Sequence, residues 1–289
     1  MKIGFIGLGI MGESMVLNII NKQDDPVYVY DIDHKKIDAI VNKGGHSTFS
    51  VKEIVSLCDI IITMIPNSKV LSNIHKEAYP YIKENQLFID MSTINPDTSV
   101  SLSDKLKSHK AHMIDAPVVK SKSAAINGTL GIYVGGDKAL FNRAYPILKT
   151  MGENIIHLGD NGAGLTMKLA HNMLVGLIQN GVNEMLVLAE KANIKIDDFV
   201  KAIGYGGGQN FYLDGKGKSI SHRDFSTAFS VKNMHKDMHL TKNLINQLSL
   251  NLPTSNHIVD LYDEAILKKL GELDFSASFK VVEKNSKKM

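Results

Sequence analysis

The chain opens MKIGFIGLGIMGESM, and its three glycines, Gly7, Gly9 and Gly12, restrict the fold more than any other stretch. A G-x-G-x-x-G spacing carries weight only when a strand precedes it, a helix follows it, and an acidic residue ends the next strand about twenty residues on. Residues 2–6, KIGFI, suit a short buried parallel strand, and Met11, Met15 and Ile19 fall along one helical stripe with Lys22 at its far end. Asp25 and Pro26 then punctuate a loop, and the alternating run VYVYD ends on Asp31.

Each part has a job in a dinucleotide-binding turn. Gly7 permits the tight turn, Gly9 lets a pyrophosphate approach the backbone, and Gly12 lets helix and strand pack closely, with the phosphates facing the amides of the helix N-terminus. Asp31 would accept hydrogen bonds from the adenosine ribose. A 2′-phosphate there would meet a carboxylate, so NAD is expected and NADP is the lesser alternative. Against this, His34, Lys35 and Lys36 follow closely and would neutralise a phosphate if their loop turned inward. A glycine turn that holds no ligand is the competing reading, and the complete strand, turn, helix and acid context stands against it.

With 289 residues the chain has room for two domains. A net charge of +3 at pH 7 is too mild to indicate a nucleic-acid or membrane partner. The single cysteine, Cys58, precedes an apolar run, the setting of a buried and inert thiol, and a lone cysteine excludes disulfides within the chain. No apolar run approaches the length of a membrane span, and the N-terminal segment, interrupted by glycines and closed by Glu13, is poor signal-peptide material. A soluble cytoplasmic protein is the expectation.

Up to about residue 160, short apolar strands alternate with helical segments. Strands are expected at 2–6, 27–31, 60–65, 87–90, 112–115, 130–135 and 155–158. This rhythm predicts an α/β fold with a doubly wound, mostly parallel Rossmann-type sheet whose ligand lies beyond the strand C-termini. Beyond DNGAG at 160–164, the segment LTMKLAHNMLVGLIQNGVNEMLVLAEKA reads as a long helix, apolar on most sides and therefore buried. Helical signals near 197–204, 212–220, 230–249, 255–270 and 275–284 follow with no strand between them. The expected domains are 1–161 for the cofactor and 162–289, all helical, for substrate and association, with the long helix running between the halves. GYGGGQN at 204–210 lacks a preceding strand and reads as a loop near the interdomain cleft. The final KNSKKM reads as a frayed basic tail.

A cofactor domain alone does not say what reacts, so the second half must supply an acid or base. Lys168 lies near the start of the long apolar helix, with Asn172 four residues later on the same face. A lysine beside apolar surroundings can have its pKa lowered enough to exchange a proton with a hydroxyl, and Asn172, both donor and acceptor, would orient the substrate oxygen or carboxylate. The plain alternative is a first-turn lysine that snorkels to solvent. His235 and His239 are spaced i, i+4 as zinc ligands can be, but HKDMH lacks the glutamate of H-E-x-x-H and no third ligand is apparent in the sequence, so no metal is expected.

Taken together, these segments resemble the β-hydroxyacid dehydrogenase family, the group that contains 3-hydroxyisobutyrate dehydrogenase, tartronate semialdehyde reductase and, more distantly, 6-phosphogluconate dehydrogenase. The resemblance spans essentially the whole chain. FIGLGIMG at 5–12 looks like the family's cofactor signature, which implies cofactor contacts for Gly7, Leu8, Gly9, Ile10, Met11 and Gly12. MIP at 64–66 and DMSTINP at 90–96 resemble the segments lining the dinucleotide, so Ile65, Pro66 and Thr93 would touch it, with Thr93 also near the substrate. GAGLTMKLAHN at 162–172 resembles the catalytic helix, making Lys168 the general acid/base and Asn172 a substrate ligand. HKDMHL at 235–240 is similar to a later Lys-Asp motif, which places Lys236 by the nicotinamide and Asp237 by the substrate. His171 is similar to the histidine of the 6-phosphogluconate branch, or is a helix residue that packs or hydrogen-bonds.

One segment departs from the family. Where a Ser-Gly-Gly turn grips the substrate carboxylate, APVVKSKSAAINGTL places Val119, Lys120 and Ser121, while Ala116, Pro117, Gly128, Thr129 and Leu130 still fit. Ser121 would replace the missing hydroxyl, and Lys120 or Lys122 would meet a phosphate, sulfonate or second carboxylate, unless both lysines only coat a loop. The implied activity is hydride transfer between NAD(H) and a short 3-hydroxy acid or semialdehyde, in a homodimer or homotetramer. A reductase of semialdehydes with a second anionic group is the alternative within the class. A dinucleotide-binding sensor without turnover is the alternative outside it.

Overall fold

All four residues of the first strand, β1 (Ile3–Ile6), are buried, the condition of a strand covered on both faces. It is followed by α1 (Ile10–Lys22), β2 (Val27–Tyr30), α2 (His34–Val41), β3 (His46–Ser47) and α3 (Val51–Leu57). Then come β4 (Ile60–Thr63), α4 (Ser68–Ala78), β5 (Leu87–Asp90), α5 (Pro96–Ser108) and β6 (His112–Asp115). The structure, a computed structural model describing residues 1–286, joins these strands into one parallel sheet in the order β3-β2-β1-β4-β5-β6. The order reverses between β1 and β4, so the loops after these two strands flank the crevice in which open α/β sheets bind ligands.

The sequence rhythm puts the next strands in the same sheet, but β7 (Val118–Val119), β8 (Leu130–Val134) and β9 (Gly152–His157) form a second one, with α6 (Lys122–Asn127) and α7 (Lys138–Met151) between them. In it β7 runs antiparallel and β9 parallel to β8. The main sheet stops where Asp115 pairs with Gly135 in an isolated antiparallel bridge and Pro117, which has no N–H to give a ladder, follows two residues later.

Successive strand residues feed opposite faces. Phe5, Ile60, Ile62 and Ile89 join a core with Met15 and Ile19 of α1 and Leu148 of α7. Ile6, Ile61 and Phe88 join another with Ile54 of α3 and Leu106 of α5. Each such fully buried side chain contributes about 1.5–3 kcal/mol by leaving water. Cys58 is fully buried in the second core, and burial pushes its thiol up to about 12, so it is inert as expected.

The chain forms two compact units, the first ending at Lys168 and the second starting at Leu169, inside α8 (Ala163–Lys191). The second also contains α9 (Ile196–Ile203), α10 (Phe211–Ser221), α11 (Val231–Gln247), α12 (Pro253–Leu267) and α13 (Phe279–Asn285). Asn210 and Ser230 cap α10 and α11 by accepting from the backbone N–H three residues on, and Pro253 opens α12. Met173, Leu186, Met234, Met238, Tyr262 and Phe279 fill this unit's core. Gln179 of α8 ties it together, accepting from the Tyr262 hydroxyl and donating to Ser278.

Two expectations need correction here. The long helix is not buried all round, since Leu174, Ile178, Met185 and Leu188 are exposed along one stripe. The basic tail is not frayed at its start, because Lys284 and Asn285 belong to α13; residues 287–289 lie outside the described ones. The stretch 204–210 is a loop between α9 and α10. Among the described residues, no helix is long and apolar enough to cross a membrane.

Candidate active site

The glycine turn follows β1 at the switch point of the main sheet. Gly7 has φ +99°, and a Cβ on it would lie 2.2 Å from the Met64 carbonyl oxygen, so only glycine fits between the turns after β1 and β4. A Cβ on Gly12 would lie 2.0 Å from the Gly7 carbonyl oxygen, whereas one on Gly9 would meet nothing within 4 Å. Gly7 and Gly12 are thus required by the protein's own packing, and Gly9 is not. Gly9 is also the N-cap of α1 and offers no side-chain cap, which leaves the start of a 13-residue helix as an uncapped cluster of donors. An open backbone at an uncapped helix start fits a pyrophosphate. Of the flanking residues, Leu8 is buried, Met11 half-buried and Ile10 exposed.

Asp31 follows β2 and braces this turn. Its Oδ2 accepts from the Leu8 N–H at 2.7 Å and its Oδ1 from the Asp33 N–H at 2.9 Å. A carboxylate has about four lone-pair sites, so capacity remains for a ribose hydroxyl. Lys36 Nζ lies 3.9 Å from Oδ1 on a half-exposed side chain, so one of the basic residues after β2 does face the acid.

The turns after β4 and β5 are joined by a network that sequence reasoning missed. Asp90 Oδ1 accepts from the hydroxyls of Thr63 and Ser92, both at 2.7 Å, and Ser92 Oγ accepts from the Ile65 N–H at 2.9 Å. The buried carboxylate therefore fixes Ile65, and with it the exposed Pro66, against the segment that carries half-buried Thr93.

The departed segment keeps a glycine-like backbone without the glycine. Lys120 has φ +81°, in the left-handed region that costs a side-chain-bearing residue roughly 1–2 kcal/mol. Its Nζ donates to the Thr129 carbonyl at 2.7 Å, which closes the loop across α6. Ser121 and Lys122 are exposed at the start of α6, and Ser121 Oγ lies 2.9 Å from Ser123 Oγ. Asn18 of α1 anchors the far side, donating to the Ala125 carbonyl at 2.7 Å.

A second missed acid, Asp115, sets the start of α8. It accepts from the N–H groups of Gly162 at 2.6 Å and Leu165 at 2.7 Å, so a distant carboxylate does the work of an N-cap. Burial pushes it up to about 7, with the two amides pulling the other way. Lys168 comes one turn further along the helix and is only 8% exposed, which excludes the snorkelling alternative. Both Asp90 and Asp115 end a strand as Asp31 nearly does. That repeated strand-end acid was the signal available in LFID and HMID.

In the second unit, Asn172, Lys236 and Asp237 come together. Asn172 Nδ2 donates to Asp237 Oδ2 at 2.6 Å, and Lys236 Nζ stands 3.3 Å from Oδ1. Asn172 is 6% and Asp237 1% exposed. The Lys236 approach is an ion pair rather than an aligned hydrogen bond, so Asp237 Oδ1 is a buried acceptor without a hydrogen bond among the described residues. A buried acceptor without a hydrogen bond costs about 1–3 kcal/mol, which the charge of Lys236 offsets in part. Thr241 Oγ1, bonded to the Asp237 and Leu169 carbonyls at 2.8 and 3.3 Å, holds α11 to α8 beside this group.

Known proteins match nearly the whole chain. The family model for the NAD-binding domain of 6-phosphogluconate dehydrogenase matches residues 2–159, and that described as the NAD-binding domain of NADP-dependent 3-hydroxyisobutyrate dehydrogenase matches residues 162–282. A glyoxylate/succinic semialdehyde reductase of Arabidopsis thaliana is 32% identical over 285 residues, 98% of each chain. A 3-sulfolactaldehyde reductase of Escherichia coli is 30% identical, over 95% of this chain and 93% of its own. The structure of a Mycobacterium tuberculosis 3-hydroxyisobutyrate dehydrogenase with L-serine has a TM-score of 0.91 at 29% identity, covering 97% of this chain and 98% of its own.

Proposed function

We propose a role for each of these residues in a chain that belongs to the β-hydroxyacid dehydrogenase family. The protein is a nicotinamide-dependent oxidoreductase acting on the CH–OH group of a small hydroxy acid or on the matching semialdehyde. The observation that carries the assignment is Lys168, buried one helical turn from buried Asn172 on a helix whose start Asp115 fixes.

Gly7 to Gly12 would hold the pyrophosphate, Asp31 the adenosine ribose, and Ile65, Pro66, Thr93 and Lys236 the rest of the dinucleotide. When bound, the nicotinamide supplies or takes up the hydride of the carbinol carbon. Lys168 takes the hydroxyl proton in its amine form and returns it to the carbonyl oxygen in its ammonium form. Asn172 is held by Asp237, whose acceptor-only carboxylate fixes which way the amide points, and so presents its carbonyl to a substrate hydroxyl. Asp237 Oδ1 is the second acceptor for that ligand.

A second reading rests on the departed turn. Lys122 is exposed beside a backbone that Lys120 holds in the family's glycine-like turn, and a relative named for a sulfonated aldehyde is 30% identical. A semialdehyde with a second anionic group suits that cation. A panel of short semialdehydes, with and without a sulfonate, phosphate or second carboxylate, separates the readings. Steady NADH consumption is expected, and if the second reading holds, Lys122→Ala raises KM only for the doubly anionic members. Wild-type kinetics for Lys122→Ala across the panel returns the residue to the solvated surface.

NAD is the preferred cofactor in this reading, because Asp31 is fixed by the Leu8 and Asp33 amides and cannot swing away from a 2′-phosphate. Asp31→Ser is expected to narrow the preference for NADH by about tenfold, or 1.4 kcal/mol. A wild type that turns over better with NADPH, helped by Lys36, would sink this assignment.

The protein associates at least as a dimer and works in the cytosol. The support for association is the exposed stripe of Leu174, Ile178, Met185 and Leu188 on α8, which also passes Gly181, where a Cβ would meet nothing within 4 Å. Light scattering at low concentration is expected to show a dimer or larger, and Leu188→Glu to shift it toward the monomer. A fully active monomer would count against it.

A further inference from the structure

We propose that His235, His239 and Asp263 form a binding site for a divalent transition-metal ion of the Zn²⁺ kind, on the helical unit and on a different face of its helix from Asp237. His235 and His239 are one turn apart on α11, with ring centroids 4.5 Å from each other. Asp263, on α12, supplies the third ligand. Its Oδ1 accepts from Nε2 of both rings, each at 2.7 Å, and one ligand atom from each of the three residues lies within 4.8 Å of the others. Two imidazoles that converge on one carboxylate oxygen already share a focus. Zinc bonds of about 2.0–2.2 Å in a tetrahedron separate neighbouring ligand atoms by about 3.3 Å, so the cluster needs only a small opening to admit the ion.

The chemistry of the set selects the ion. Two imidazole nitrogens and one carboxylate suit Zn²⁺, Co²⁺, Ni²⁺ or Cu²⁺, whereas Mg²⁺ and Ca²⁺ take oxygen ligands. The side chains are 28%, 41% and 44% exposed, which gives the ion a way in and leaves room for water to complete its coordination. On binding, the Nε2 lone pairs that form the metal bonds replace the N–H groups that now donate to Asp263, and each ring carries its proton on Nδ1 instead. No redox change accompanies the step. Successive helix residues are rotated by about 100°, so Asp237 faces about 200° away from His235 and the ion does not draw on the pair that holds Asn172. A metal bridging α11 and α12 would fasten these two helices to each other.

The test uses the untagged full chain, stripped with a chelator, titrated calorimetrically with Zn²⁺, Ni²⁺ and Mg²⁺. One Zn²⁺ or Ni²⁺ per chain is expected, with no response to Mg²⁺, and a melting temperature that rises with Zn²⁺. His235→Ala, His239→Ala and Asp263→Asn are expected to weaken binding by at least the ~10- to 100-fold typical of losing an outer-shell partner, while NADH affinity stays at the wild-type value. Absence of saturable one-to-one binding, or wild-type affinity in all three variants, overturns the proposal. Should a variant fail to fold, Co²⁺ bound to the wild type decides. Intense visible bands of a four- or five-coordinate ion support the site, and the spectrum of the hydrated ion overturns it. Because metal binding is read directly, failure of the catalytic assignment would leave this result standing, and the reverse.

Discussion

Lys168→Ala is expected to lower kcat by about 10²- to 10⁴-fold, the usual worth of a positioned proton-transfer group, with NADH affinity unchanged. Lys168→Arg should do little better, since a guanidinium keeps the charge but does not give up its proton near neutral pH. The structural grounds are specific. Lys168 is 8% exposed on a helix whose first amides are bound by Asp115, so its backbone cannot drift to let another group take its place. Measuring NADH binding and turnover in the same two variants separates the outcomes. Full turnover in Lys168→Arg would make the lysine an electrostatic anchor and send the proton through water or another side chain. A parallel fall in NADH affinity would mean that the side chain supports the cofactor rather than the proton.

What could be read from the sequence follows from how local each cause is. β5 and β6 fall where expected, at 87–90 and 112–115, because each is a short apolar run closed by an aspartate. β4 stops at Thr63 rather than 65, because Thr63 and Ile65 are drawn into the Asp90 and Ser92 network, a tertiary cause absent from the run IIITMI. Two-residue strands such as β3 and β7 show no period, and β9 begins at Gly152, ahead of the apolar residues that announced it. That β7, β8 and β9 leave the main sheet is a pairing choice, made at Asp115 and Gly135, twenty residues apart.

The site was legible in part for the same reason. The glycine turn and Asp31 carry their own spacing, and the Lys168 to Asn172 interval is one helical turn. The partners that fix them are remote: Asp115 lies 47 residues from Gly162, and Asp237 lies 65 from Asn172. Lys120 hid its conformation because nothing in a lysine announces a positive φ, and only comparison with a Ser-Gly-Gly turn draws attention to it. Asp263, 24 residues beyond His239, completes a cluster that HKDMH alone does not reveal.

The two glycines at 9 and 12 are expected to answer differently to the same added methyl group, Gly12 through both stability and binding and Gly9 through binding alone. At Gly12 a Cβ lies 2.0 Å from the Gly7 carbonyl oxygen and 3.2 Å from the Phe5 ring, so the turn itself must move. Gly12→Ala should lower stability by about 1–3 kcal/mol, as overpacking does, and lose NADH binding with it. At Gly9 the backbone has φ −70° and ψ −171°, a region open to any residue, and the Cβ meets no protein atom within 4 Å. Gly9→Ala should therefore leave the stability of the apoprotein within about 1 kcal/mol of the wild type, because the gain of about 0.4–1 kcal/mol through the unfolded chain is offset by the poorer fit of alanine at an N-cap. Yet it should weaken NADH by at least about tenfold, because the methyl group then stands where the pyrophosphate must approach the amides of α1. Chemical denaturation and NADH titration of the two variants test both halves. A Gly9→Ala protein that binds NADH like the wild type would mean that no phosphate comes close to this residue, and the glycine turn would then serve only to pack β1 against α1.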